Sequence, residues 1–111
     1  MTQAAYINDI AGFLPNNPVS NDEIEKVLGM VNGRKSRSRR IVLRNNGIKE
    51  RYYAIDPATG KFTHNNAQLA SHAIQNLMRK SGLSLDDVDC LTCGTSSPDQ
   101  IQPAHGHMVQ G

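Results

Sequence analysis

Tryptophan is missing from these 111 residues, and three Tyr and two Phe make up the whole aromatic content. The apolar fraction is 38%, somewhat low for a globular domain, so a core is possible but modest. Cysteine is scarce too. Two residues cannot frame a disulfide scaffold, which makes a reducing, cytoplasmic compartment the default expectation. No apolar run approaches the roughly 18 residues that suggest a membrane span. The opening MTQAAYINDI has no charged region followed by an apolar one, so it does not read as a secretion signal. The length fits one domain. No internal repeat and no low-complexity linker interrupts it.

What is present is an uneven charge. The chain carries +2 overall, yet eight of its 12 Lys and Arg lie between Arg34 and Arg51. The remainder is mildly acidic, so the basic residues act locally. Nucleic-acid phosphates, a phosphate-bearing cofactor, an acidic protein partner and a plain solvated loop all remain open from charge alone. Tyr52 and Tyr53 beside the run could stack on bases. No nucleic-acid motif surrounds it, and its spacing is not helical.

AAYINDIAGFLP (residues 4–15) reads as a first strand, stopped by Pro15. A helix-start signature follows. Ser20 and Glu23 have capping-box spacing, and Val19 with Ile24 fit a hydrophobic staple. Ile24, Val27, Leu28 and Val31 then form one apolar stripe, with Gly33 as the expected stop. RKSRSRR is expected as solvated loop, Asn46-Gly47 as a turn and IKERYYAID as a strand. DPATGK is turn chemistry. A second helix is predicted from about Asn65 to Lys80, closed by Gly82, with Arg79 and Lys80 suited to its C-terminal dipole. CLTCGT is the next expected strand, and IQPAHGHMVQG the opening of a third helix. This order predicts an α/β fold. The chain reaches Gly111 in what reads as mid-helix, which suggests part of something larger.

Cys90 and Cys93 form a C-x-x-C. In a strand they would face opposite ways, with Cα atoms roughly 10 Å apart, beyond the about 7 Å a disulfide tolerates. A redox C-x-x-C opens a helix instead, whereas Gly94 to Pro98 break one. A zinc site would want a second pair. Two buried strand cysteines are therefore expected. His105 and His107, two apart on a helix, do not share a face. His64 and His72 stand alone, and all four read as ordinary surface or packing residues. No G-x-G-x-x-G, P-loop, H-E-x-x-H or G-x-S-x-G is present.

Three segments in order resemble a known family. INDIAGFLPNNPVSNDEIEK resembles its opening strand and "(Y/F)LP" ending. NNGIKERYYA resembles its "R-T-G-I-x-x-R". LSLDDVDCLTCGTSSPDQIQPAHGHMVQG resembles its "T-(S/T)-(S/T)-P-D" stretch, followed by a Pro and a helix. Together they resemble the N-terminal part of a β-ketoacyl-acyl-carrier-protein synthase III of the thiolase superfamily. RIVLRNNGI and GTSSPDQ look closest to the Bacteroidetes pigment and dialkylresorcinol-type branch.

The resemblance implies a thiolase-like fold, of which residues 1–111 would form an incomplete βαβαβ half. It implies a homodimeric parent that performs decarboxylative Claisen condensation with a Cys nucleophile, a His and an Asn. No tightly bound cofactor is implied. Coenzyme A or acyl-carrier-protein thioesters would be the substrates, with no membrane and no nucleic acid as partner. The family nucleophile falls beyond Gly111, and neither Cys90 nor Cys93 matches it. The chain alone is thus expected to be inactive.

The family's coenzyme-gripping Trp and Arg fall on Ile41 and Asn45, with Arg44 one step away, and NGRKSRSRR departs from the usual "D-T-S-D-E-W". That favours an acidic carrier protein at a thioester entrance built from Arg37, Arg39, Arg40, Arg44 and Asn45. Gly47, Ile48 and Arg51 do match the family pattern, with Gly47 read as a turn residue and Arg51 as structural. The alternative is a small basic nucleic-acid-binding protein using Arg34–Arg51. A redox or zinc module through Cys90 and Cys93 comes third.

Overall fold

The structure, a computed structural model, describes residues 3–111. The elements in chain order are β1 (Val19–Ser20), α1 (Ile24–Leu28), α2 (Arg39–Asn46), β2 (Glu50–Arg51), α3 (Asn66–Ser81), a 3-10 turn (Leu85–Asp87) and α4 (His105–Gln110). They fall into two compact units: the stretch ending at Phe13 with Asn65–Gly111, and Leu14–His64. Helices with one small two-stranded sheet make an α/β set whose strands are largely unformed.

The first unit is organised by α3. Its N-cap Asn65 accepts the Gln68 N–H at 2.8 Å, and the Gln68 side chain accepts the Asn65 N–H at 2.9 Å. This closes a capping box on two of the amides that a helix start leaves unpaired. Gly82 ends the helix at φ 73°, a left-handed conformation that costs glycine little, and its N–H donates to the Met78 carbonyl. The predicted boundaries of this helix agree within a residue.

The expected first strand takes another role. Residues 9–13 run along one face of α3, where His72, Asn76 and Lys80 recur at i, i+4, i+8. Lys80 Nζ donates to the Ile10 carbonyl at 2.8 Å and lies 3.0 Å from Asp9. Asn76 donates to the Gly12 carbonyl at 3.0 Å, and Phe13 stacks on His72 with centroids 4.6 Å apart. No described residue offers this stretch a ladder, so it forms no strand; Tyr6 and Ile7 stay exposed. Helix α4 packs on α3 with Val109 buried, and the Ser71 hydroxyl donates to the Val109 carbonyl at 3.4 Å. Ala67 is the other buried apolar side chain among the described residues of this unit.

The second unit is held by a short antiparallel pair, Val19 opposite Arg51 and Ser20 opposite Glu50. The IKERYYAID strand shrinks to Glu50–Arg51 plus a single bridge, Ile55 to Phe62. That bridge closes over the DPATGK turn, where Asp56 accepts from the Ala58 N–H and the Thr59 hydroxyl.

Helix α1 ends earlier than the stripe suggested. Gly29, at φ 86°, leaves the helix before Gly33 can, so Val31 lies outside it and is 78% exposed. The expected capping box is half-made: the Glu23 carboxylate accepts from the Ser20 N–H at 3.3 Å and hydroxyl at 2.9 Å, but the Ser20 side chain does not cap the helix. The last two residues of the expected loop, Arg39 and Arg40, join the apolar Ile41–Leu43 and the start of the expected turn in one helix, α2, between Ser38 and a left-handed Gly47 at φ 68°. Among the described residues no helix is long and apolar enough to cross a membrane.

Candidate functional site

Three of the five proposed entrance residues share a groove. Arg39, Arg40 and Arg44 line it with Leu43, Asn21 and Asp22, around about 420 Å³. Helix geometry explains this: positions 40 and 44 follow one another on a single face of α2, while 39 and 43 share the neighbouring face. The five residues are not equivalent. Arg39 is a clamp inside the unit. Its guanidinium reaches Glu25 at 3.3 Å and Asp22 at 3.4 Å, and Glu25 also accepts the Ser36 N–H at 2.8 Å. Arg37, Arg40 and Arg44 are exposed and form no ion pair with any described residue, and Asn45 is exposed on the same helix.

The segment after α2 is fixed from α1's side of the unit. Asn21 donates to the Ile48 carbonyl at 2.9 Å and accepts from Arg51 at 3.0 Å. Arg51 also sits in the β1–β2 ladder, opposite Val19. Gly47 supplies the helix stop.

A larger cleft of about 770 Å³ opens in the same unit between Pro18, Lys26, Tyr53 and Asp56. Asn16 forms part of its wall. It holds a left-handed φ of 58° and ties two distant points together, donating to the Tyr53 carbonyl at 2.8 Å and the Thr63 hydroxyl at 2.9 Å. Sequence reasoning passed over Asn16. The signal available was Asn16-Asn17 after Pro15, because Asn tolerates positive φ better than most residues.

In the other unit the T-S-S-P-D stretch is bound to the start of α3. The two Asp99 oxygens accept the Asn66 and Ala67 N–H groups at 2.8 and 2.9 Å, and the Asn66 side chain donates to the Ser97 carbonyl. These amides hold the Asp99 carboxyl below its ordinary value of 3.8, with Asn66 the larger cause. Asp9 is lowered by Lys80 and then by the Ile10 N–H, and Glu23 by the Ser20 hydroxyl and N–H.

The cysteines depart from expectation. Residues 89–95 form no strand, and Cys90 is exposed rather than buried, while Cys93 is half-buried beside Gly106. A strand exists only through its ladder, and the described residues provide none here. Both thiols are free. His105 is half-buried, and its Nδ1 has no hydrogen-bond partner among the described residues. His64 Nδ1 lies 2.8 Å from the Thr63 hydroxyl.

No family model matches the chain. It is 29% identical over 106 residues to the β-ketoacyl-[acyl-carrier-protein] synthase III of Streptococcus sanguinis, covering 96% of this chain and 28% of that protein. The enzyme of the same name from Granulibacter bethesdensis is 32% identical over 106 residues, covering 96% and 29%. Among solved structures, AbyA1, a tetronic acid condensing enzyme, superposes with a TM-score of 0.69 at 28% identity over 89% of this chain and 29% of that one. The chain therefore spans less than a third of the length of these relatives. Over the stretch it shares with them, the chain is a β-ketoacyl-acyl-carrier-protein synthase III-like sequence with a thiolase-like condensing enzyme's fold.

Proposed function

We propose that residues 1–111 are the N-terminal part of a synthase III-type acyltransferase whose complete form joins acyl thioesters by decarboxylative Claisen condensation. The observation that carries this is the correspondence with synthase III enzymes along 96% of the chain. In the complete enzyme a cysteine thiolate attacks an acyl thioester, and the carrier's thiol leaves. A malonyl-type thioester then loses carbon dioxide. Its enolate carbon attacks the acyl-cysteine carbonyl, and the cysteine thiolate departs. A helix N-terminus favours that thiolate, and a His and an Asn hold the enolate charge.

We assign these three groups to sequence beyond Gly111. In support, Cys90 and Cys93 stand in an irregular stretch, and neither falls at the family's nucleophile position. The wording RIVLRNNGI and GTSSPDQ supports the pigment and dialkylresorcinol-type branch. Arg37, Arg40, Arg44 and Asn45 form the thioester entrance, with Arg39 holding α2 in place beside them. A parent that works on such thioesters operates in the cytoplasm as a homodimer.

The test is transfer of a radiolabelled acyl group from a thioester to protein. The complete protein should become labelled on one cysteine, and residues 1–111 alone should not. Label on Cys90 or Cys93, or turnover by residues 1–111, would refute the assignment.

A further inference from the structure

Residues 89–104 lead into α4 with neither a helix nor a ladder of their own. Side-chain ties must therefore set their course. Three such hydrogen bonds run to the start of α3. The Asp99 carboxylate accepts the Asn66 and Ala67 N–H groups, one on each oxygen, from 33 and 32 residues away in sequence, and the Asn66 side chain donates to the Ser97 carbonyl. A carboxylate engaged through both oxygens at the positive end of a helix is held in orientation as well as in position. The Asn66 and Ala67 amides lower its carboxyl most, and His105, the first residue of α4, adds a smaller electrostatic contribution.

Helix α4 is fixed to the same helix further along. Val109 is buried, and the Ser71 hydroxyl donates to its carbonyl at 3.4 Å. Gly106 lies against Cys93, where an added Cβ would come within 3.9 Å of the cysteine's own. One helix thus holds the T-S-S-P-D turn and α4 together. These ties close between residues of a single compact unit and need no exposed surface.

We propose that Asp99 is a positioning residue for acyl transfer: by seating the T-S-S-P-D turn on the start of α3 it fixes α4, and through α4 the approach of the downstream cysteine to the thioester. This rests on the condensing-enzyme reading, in which the nucleophile follows α4 in the chain. Asp99 acts through geometry alone, since both its oxygens are engaged by amides. Reacting groups that must meet within about 3.5 Å lose rate steeply on small displacements.

The experiment follows a single turnover of labelling of the complete protein by radiolabelled acyl-N-acetylcysteamine thioesters, from acetyl to decanoyl. These carry neither coenzyme A nor a carrier, so they report the meeting of cysteine and thioester. Asp99→Ala should slow labelling at saturation about tenfold with the half-saturating concentration unchanged, and Asp99→Asn, which keeps one acceptor, about threefold. Gly82→Ala, which strains the far end of the same helix, should leave the rate unchanged. Circular dichroism checks folding, and Asp99→Asn carries the test if Asp99→Ala does not fold. If both Asp99 variants label at the wild-type rate, or Gly82→Ala is slowed as much as they are, the positioning role falls and the function stands. A raised half-saturating concentration at an unchanged rate would equally overturn it, in favour of substrate binding. If the wild-type protein takes no label from any of the thioesters, the function falls and the positioning role with it.

Discussion

The two compact units reach order by different routes. The unit containing Asn65–Gly111 is organised along one sixteen-residue helix with both ends closed, and residues 9–13 lie on a single face of it. Leu14–His64 has no element longer than eight residues. It relies on side chains that join points far apart in sequence: Asn16 to Tyr53 and Thr63, Asn21 to Ile48 and Arg51, Arg39 to Asp22 and Glu25. The first kind of order degrades gradually, because a helix can fray and re-cap. The second depends on single residues, each closing a long loop whose entropy returns when the link is cut.

The most severe break should come at Asn16. Alanine there would lose two hydrogen bonds and leave a non-glycine residue at φ 58°. The cost should be about 2 kcal/mol. Hydrogen exchange should quicken across Leu14–His64 while α3 amides keep their protection. Equal loss in both units would remove the distinction. Gly82→Ala probes the other route. At φ 73° it should cost about 1 kcal/mol and fray only the last turn of α3. Opening that spread to α4 would show that the long helix is as brittle as the polar web.

Arg39→Ala should be milder, at about 0.7 kcal/mol, since Arg39 is partly exposed. The pair with Glu25, whose side chain is 12% exposed, should carry nearly all of it. Asp22, at 95%, should contribute almost nothing. A double-mutant cycle on urea midpoints separates the two couplings. A larger value for Asp22 than for Glu25 would contradict the burial argument.

The same contrast governs what could be read from the chain. Helix α3 was legible because its information is local: Asn65, Gln68, the apolar stripe and Gly82 lie within one continuous stretch. Two of the three expected strands, residues 4–15 and 90–95, were not, because a strand's stability resides in a partner the local pattern cannot name. Helix α2 was not legible: its first two residues read as the end of a solvated loop and its last as part of a turn. Its basic composition hid an eight-residue span between a serine and a glycine, with Arg39 and Leu43 at i, i+4 spacing toward one side. The entrance cations were visible as charge. That Arg39 differs from Arg40 was not, because only tertiary placement brings Asp22 and Glu25 to it.

Acid should sharpen the comparison most gently. Asp99 and Asp9 both have lowered carboxyls and both anchor loops to α3, whereas Leu14–His64 has only Glu23. A carboxylate lowered in the folded state binds fewer protons there than in the unfolded chain. Its contribution is therefore complete above the ordinary carboxylate range and is lost as pH falls through that range and below. On acidification the Asn66 and Ala67 amides should lose protection first, because protonating Asp99 removes the charge that two N–H groups address at the positive end of the helix dipole. Asp99→Asn provides the control. It keeps one acceptor oxygen but no charge, so protection at these amides should be lower at neutral pH and no longer depend on acid. An unchanged acid response in that variant would mean that a group other than Asp99 holds the start of α3.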